Sequence, residues 1–152
     1  MTTTIKQDAV KYAKENDDVL LVHVCNNRAV MGSGIAAQIK KEIPTAYDNY
    51  RSNCRLGSVS YSDCGTVANM VAQQDYYGYQ RNFKKKRYLK YSALAECLFY
   101  IVYDFELQDL GITKIALPKL MGADRAGGDW EVVLDLVEGI LGETFEIIVC
   151  EL

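Results

Sequence analysis

The sequence predicts a three-layer α/β fold with a mainly parallel or mixed sheet, built by residues 1–152 as one domain. Two stretches rich in branched apolar residues, Val19–Val24 and Ile112–Leu117, are too short for helices and read as buried strands. Between and after them, apolar residues recur at helical spacing, as in Leu94, Leu98, Ile101 and Phe105. Such runs alternate with helical patterns along most of the chain, the signature of strands crossing over through helices.

Taken in order, Thr3–Gln7 carries β-branched residues and reads as a first strand. Asp8 suits an N-cap for a short helix over Ala9–Glu15, because its carboxylate can accept from open N–H groups. Asn16–Asp18 turns the chain into the strand Val19–Val24, expected at the centre of the sheet. Gly34–Ile43 reads as a helix, stopped or kinked by Pro44, with a second segment running through Tyr47 and Tyr50. Gly57–Tyr61 and Val67–Gln73 read as two strands around a turn at Ser62–Gly65. Asp75–Lys90 mixes tyrosines with lysines and arginines, lacks periodicity and reads as a long exposed loop. Tyr91–Gln108 has the strongest helical pattern, and Gly111 is placed to follow its end. Ile112–Leu117 is the next strand, closed by Pro118, and Lys119–Asp129 is a glycine-rich turn. Trp130–Leu141 is a helix with Val133, Leu136, Val137 and Ile140 inward, and Phe145–Cys150 is the last strand.

Composition narrows the function. A formal charge of −3 and a pI near 5.2 argue against a protein that coats nucleic acid or anionic membrane. Cys25, Cys54, Cys64, Cys97 and Cys150 are scattered, with no C-x-x-C, so neither a disulfide framework nor a metal site is expected. No apolar run is long enough to span a membrane, and the N-terminus lacks a signal-peptide core. A cytoplasmic protein with reduced thiols is the expectation.

The chemistry is expected where strands hand over to helices. Met31-Gly32-Ser33-Gly34 joins the strand to Ile35 and its helix, which places open N–H groups and a helix dipole at one spot suited to phosphate. Ligands of open α/β sheets bind outside the carboxyl ends of strands. Glycine-rich turns occupy two such ends, at Asn26–Gly34 and Lys119–Gly128. Neither a Walker pattern nor a dinucleotide G-x-G-x-x-G is present.

The stretches LLVHVCNN, MGSGIAAQIKKEIPTAYDNY, VANMVAQ and IALPKLMGADRAGGDW together resemble the macro domain over nearly the whole chain. They look most like the ADP-ribose-1″-phosphate phosphatases of fungi and phages. They are also similar to terminal ADP-ribose protein glycohydrolases and to the bacterial hydrolase that removes ADP-ribose from thymidine in DNA. The resemblance implies a mixed sheet of about six strands between helices, with an ADP-ribose cleft at its carboxyl edge, a monomer, no cofactor and a phage or bacterial origin. Position by position it implies that Asp8, with Ala9, reads the adenine. Cys25 and Asn26 face the distal ribose, Met31–Ile35 wrap ribose and pyrophosphate, and Lys119, Leu120, Met121, Gly122, Ala123 and Asp124 hold diphosphate and distal ribose. Leu152 closes on the adenine side. His23, the only histidine, lies in an apolar strand and is expected to hold the following loop by hydrogen bonds more than to react.

Asp124 and Asn26 are the candidate catalytic residues, Asp124 as general base for water. Asp129 competes with Asp124, although an N-cap before Trp130 would look the same. The glycohydrolases place a nucleophilic lysine where this chain has Gln73-Gln74, and glutamine cannot form the adduct. Lys84–Lys86 follow, but no spacing supports them in that role. The expected activity is therefore a metal-free phosphatase acting on ADP-ribose-1″-phosphate. The alternatives are a glycohydrolase that frees ADP-ribose from protein or DNA, and a non-catalytic ADP-ribose module. Part of Asp75–Lys90 is expected to cover the cleft, with nucleic acid the less favoured partner of that stretch.

Overall fold

The computed structural model describes residues 1–76 and 87–152. The elements are β1 (Thr2–Lys6), α1 (Ala9–Glu15), β2 (Val19–Asn26), α2 (Gly34–Glu42), α3 (Pro44–Ser52), β3 (Val59–Tyr61), β4 (Val67–Gln73), α4 (Tyr91–Val102), α5 (Glu106–Asp109), β5 (Lys114–Pro118), α6 (Trp130–Leu141) and β6 (Glu146–Glu151). The strands form one six-stranded sheet in the order β1-β6-β5-β2-β4-β3. Every neighbouring pair is parallel except β3 with β4, so the sheet is mixed. No helix among the described residues is long and apolar enough to cross a membrane.

The period of two along β2 divides the core between the sheet's faces. Leu20 and Val22 pack with Met70 and Ile115 against Leu94, Leu98 and Ile101 of α4 and Val133 and Val137 of α6. Val19 and Leu21 pack with Val67, Ala116 and Ile148 against Val10 of α1, Ile39 of α2 and Ala46 of α3. Both faces are covered, which is why the strands read as unbroken apolar runs instead of alternating ones.

Pro44 ends one helix by starting another. It occupies the first turn of α3, where its missing N–H would have no intrahelical partner. The helix expected over Tyr91–Gln108 is instead broken. α4 stops at Val102, and Asp104 Oδ1 accepts from Glu106 N–H at 3.2 Å to begin α5. A short carboxylate bonding its own backbone competes with helix continuation. Phe105 is consequently 65% exposed, and Leu107 takes the buried place expected for it. In α6, Val133 and Val137 are buried as the spacing implies, and Leu141 joins them where Leu136 and Ile140 are only partly buried.

The stretch expected as a long exposed loop is partly buried at its described ends. Asp75, Tyr88 and Leu89 are buried, while Lys84–Lys86 lie outside the described residues. Gln74 N–H donates to Tyr88 O and Lys90 N–H to Ala72 O, so the returning chain pairs with the end of β4. Tyr88 and Leu89 N–H both donate to Ala126 O, and the Leu89 side chain fills the space under Gly122 and Gly128. A Cβ on Gly128 would come within 2.5 Å of Gly122 O and collide with Leu89 Cδ2, so the glycine is needed for close approach. Leu89→Ala removes this plug, and the expected loss is about 2–5 kcal/mol of stability in urea unfolding with an unchanged m-value. A loss below about 1 kcal/mol would mean that the loop collapses into the space and that Leu89 does not hold it.

Candidate functional site

Parallel pairing decides where the loops go. β2 is hydrogen-bonded to β4 on one side and β5 on the other, all three running the same way. Their carboxyl ends, at Asn26, Gln73 and Pro118, therefore open onto one edge of the sheet. Between the loops that leave them lies a cleft of about 620 Å³. Three non-glycine residues among the described ones have left-handed backbone: Ala29 (φ 60°), Asp75 (φ 62°) and Leu120 (φ 66°). Each sits just past one of these three strand ends, so the uncommon backbone is concentrated around the cleft.

The first wall is folded by one carboxamide. Asn26 Oδ1 accepts from Arg28 N–H at 2.9 Å, Val30 N–H at 3.3 Å and the Tyr50 hydroxyl at 2.9 Å, and Nδ2 donates to Val30 O at 2.8 Å. The Tyr50 hydroxyl also reaches Asn26 O, and Tyr50 is fully buried on α3. Asn26 thus reaches the cleft mainly as the organiser of its own loop. Met31, Gly32, Ser33, Gly34 and Ile35 continue the wall, with Ala36. Ser33 caps α2 by position but its side chain makes no capping bond, and Ala37 N–H is the first to return to Ser33 O. The N–H groups of Gly34, Ile35 and Ala36 are thereby left for a ligand. Nothing would crowd a Cβ at Gly34; its φ of +58° is what requires glycine.

The opposite wall is the second glycine loop. Lys119, Leu120, Met121, Gly122, Asp124 and Arg125 all line the cleft. Lys119 Nζ is held by Glu151 at 2.9 Å. Asp124 and Arg125 are exposed and make no side-chain hydrogen bond or ion pair with a described residue. Asp129, the competing carboxylate, accepts from Glu131 N–H at 2.9 Å and caps α6, off the cleft lining.

His23 and Cys25 form the floor. His23 does not hold the loop as expected but pairs across to β4, its Nε2 2.7 Å from Asn69 Oδ1. Asn69 Nδ2 donates to Ala46 O and Ser60 Oγ, so Oδ1 is the acceptor and the histidine proton sits on Nε2. Burial lowers the His23 pKa to about 4, only partly opposed by this hydrogen bond, and the ring is neutral. Burial, with Cys97 adding to it, likewise pushes the Cys25 thiol well up, which leaves it a poor nucleophile.

Four residues from the sequence reading stand off this lining: Asp8, Ala9, Ala123 and Leu152. Asp8 caps α1 by accepting from Lys11 N–H at 2.9 Å, and Gln38 Nε2 donates to both its oxygens at 3.0 Å. Gln38 lies one turn along α2 from Ile35, so Asp8 is moored to the helix that starts in the cleft. Ala9 is buried, Ala123 is turned into the loop by its N–H bond to Leu120 O, and Leu152 is fully exposed.

Other residues join the site beyond those expected to bind the ligand. Arg125 follows Asp124 in the same motif, and extending the loop by one residue finds it. Tyr76, at the described start of the tyrosine-rich stretch, lines the cleft. Gln73 lines it too, its Nε2 bonded to Asp75 O at 3.0 Å. Arg28 Nε meets buried Asp75 Oδ1 at 2.6 Å and staples the first loop to the exit of β4. No local pattern links residues so far apart in the chain.

In this three-layer domain the parallel strand ends carry two facing glycine loops across one cleft. The fold is that of the macro domain. The macrodomains of DarG from Thermus aquaticus and Mycobacterium tuberculosis superpose with TM-scores of 0.70 and 0.73 at 24% and 22% identity, covering all of this chain and 99% and 98% of theirs. A protein of unknown function from Bacteroides thetaiotaomicron superposes at 0.81, with 22% identity over all of this chain and 98% of its own. In sequence, the DNA ADP-ribosyl glycohydrolase of Mycobacterium tuberculosis is 29% identical over 119 residues, 77% of this chain. The chain spans about a third (33%) of the length of that relative. A 17.5 kDa protein of phage T4 is 28% identical over 144 residues, which is 90% of this chain and 85% of the phage protein. No protein-family model matches the chain.

The buried histidine makes stability depend on pH. Its folded pKa, about 4, lies below the ordinary histidine value of 6.5, so the unfolded chain takes up a proton first as pH falls. The stability held by neutral His23 is full above about pH 6.5 and is lost toward pH 4, roughly 3 kcal/mol in all. The stability gap between wild type and His23→Gln, followed by urea unfolding, should narrow over that window. A gap constant from pH 7 to 4 would contradict a neutral buried imidazole.

Proposed function

We propose that the cleft binds ADP-ribose and that the chain hydrolyses derivatives of it at the distal ribose, with ADP-ribose-1″-phosphate as the leading substrate. The observation that carries this reading is the pair of glycine loops facing each other across a single cleft, one offering open helix N–H groups and the other an adjacent carboxylate and guanidinium. A volume of about 620 Å³ suits a nucleotide sugar. The open N–H groups of Gly34, Ile35 and Ala36 and the Arg125 guanidinium would take the diphosphate. Asp8, moored to α2 by Gln38, would receive the adenine amino group, with Ala9 and Leu152 beside it and Ala123 in the loop under the diphosphate. Cys25 and the second Asn26 amide hydrogen would face the distal ribose.

In this scheme a water attacks phosphorus, the P–O bond to the sugar breaks, and Asp124 accepts the water's proton. Asp124 hands that proton to the departing sugar oxygen, which leaves as the hydroxyl of ADP-ribose, and inorganic phosphate is the other product. Among the described residues, the amine in the lining is that of Lys119, and its ion pair with Glu151 holds it away from a nucleophilic role. Gln73 stands where a covalent route would need its lysine. Both observations favour direct attack by water.

A second reading has a specific observation behind it. The mycobacterial relative is named a DNA ADP-ribosyl glycohydrolase, so the leaving group would be a nucleobase instead of phosphate. The same cradle would serve, with water attacking the anomeric carbon and Asp124 again taking its proton.

Titration calorimetry with ADP-ribose is the first test, and no heat at millimolar ligand would end both readings. Turnover is then measured as phosphate release from ADP-ribose-1″-phosphate and ADP-ribose release from modified glutamate and from modified thymidine in DNA. Asp124→Ala should lower kcat by roughly a hundredfold or more while leaving the Kd for ADP-ribose within about threefold. Full turnover in Asp124→Ala would remove Asp124 as the base.

A further inference from the structure

The described residues carry a second hollow, about 640 Å³, on the outer face of α4. It is lined by Gly57, Glu96, Phe99, Tyr100, Tyr103 and Asp104, none of which lines the cleft between the glycine loops. Three of these are large aromatic residues with substantial exposure: Phe99 at 47%, Tyr100 at 52% and Tyr103 at 68%. Such a cluster on one helix face is unusual for a surface with nothing to cover it. The rings are already arrayed: Phe99 stacks on Tyr103 with centroids 6.4 Å apart, and Tyr100 lies 6.5 Å from Tyr61.

The charged side chains among the described lining residues, Glu96 and Asp104, are both acidic. Glu96 and Asp104 form no ion pair with any described residue. Gly57 lets Glu96 settle inward, because a Cβ there would lie 2.5 Å from Glu96 Oε2. Next to Tyr100, the Tyr61 hydroxyl is buried with no hydrogen-bond partner among the described residues. Burial first, and then neighbouring Asp104, push that phenol above its ordinary range, so it stays a neutral donor and acceptor facing carboxylates.

Aromatic faces beside unpaired carboxylates select a cation, and a planar one above all. A guanidinium stacks on the rings while its N–H fork meets a carboxylate. We infer that this face docks an arginine-bearing segment of a partner protein, with Glu96 and Asp104 as the charge partners and Tyr100 and Tyr103 as the stacking platform. Nucleic acids and anionic lipid surfaces carry the wrong sign for it. A second copy of the chain meeting the same face about a two-fold axis would set like charges against each other.

The probe is a fluorescent peptide with three arginines separated by glycines, compared with its citrulline counterpart and read by anisotropy. The arginine peptide is expected to bind and the citrulline peptide to bind at least about tenfold more weakly. Glu96→Gln with Asp104→Asn, which keeps the oxygen that caps α5, should weaken binding about tenfold, and Tyr103→Ala about fivefold. A control with the same change in net charge, Glu15→Gln with Asp48→Asn, should stay within about twofold. Circular dichroism and urea unfolding check that each variant is folded. Equal losses in the control pair, equal binding of the two peptides, or no binding at millimolar peptide would overturn the inference. So would a concentration-dependent dimer in sedimentation that Tyr103→Ala dissolves, because the face would then belong to a second copy.

Discussion

The site depends on β2 lying between two strands that run its own way. Val19 pairs with Lys114 and Leu21 with Ala116 on one side, while Leu21 through Cys25 pair with Val67 through Val71 on the other. A parallel ladder cannot be closed by a tight hairpin, so each strand must leave by a crossover at the same edge. Three exits are thereby set side by side, and two carry glycine loops. Antiparallel pairing of β2 with β5 would send those loops to opposite ends of the sheet, and no choice of loop residues could bring them back together.

Neighbouring exits leave the loops free to sag into the gap, and different physics holds each one open. The first is shaped by polar bonds: Asn26 satisfies two N–H groups and one carbonyl of its loop, and Tyr50 braces it from α3. Arg28 and Asp75 tie the same loop sideways to β4. The second is shaped mainly by packing. Leu89 arrives from far along the chain, seats itself under Gly122 and Gly128, and its own N–H and that of Tyr88 fasten Ala126 O. Buried polar groups must find partners, and close-packed interiors resist voids, so both devices favour a single loop conformation.

These devices explain which parts of the molecule were legible in the sequence. The helix Trp130–Leu141 announces itself by a burial period of 3.6, and the strands Val19–Asn26 and Val67–Gln73 by short, mainly apolar runs buried on both faces. Asp8 and Asp129 were readable as caps because capping acts within a few residues. The glycine turns were visible as departures from those periods. What stayed hidden depends on distance. Nothing near His23 points to Asn69, nothing near Leu89 points to Gly128, and nothing near Arg28 points to Asp75. The broken helix after Val102 had a local signal, the short carboxylate of Asp104, but the apolar spacing that continued through Phe105 outweighed it. Phe105 fits the pattern yet is exposed, because a pattern gives a face and not the point at which the backbone leaves it.

The titrating groups of the cleft, set against their environments, divide its labour. On the β2 side, His23 is neutral and bonded to Asn69, Cys25 is a buried thiol, and the Asn26 carboxamide is largely engaged in its own loop. None of them is free to exchange a proton near neutral pH. On the β5 side, Lys119 is paired with Glu151, which leaves the Asp124 carboxylate and Arg125 guanidinium facing the cleft. A reaction that needs a mobile proton and a developing negative charge would therefore run along the second loop. The first loop would bind and orient. Under that division, changes around Asn26 and Tyr50 act mainly on affinity, and changes at Asp124 act mainly on rate.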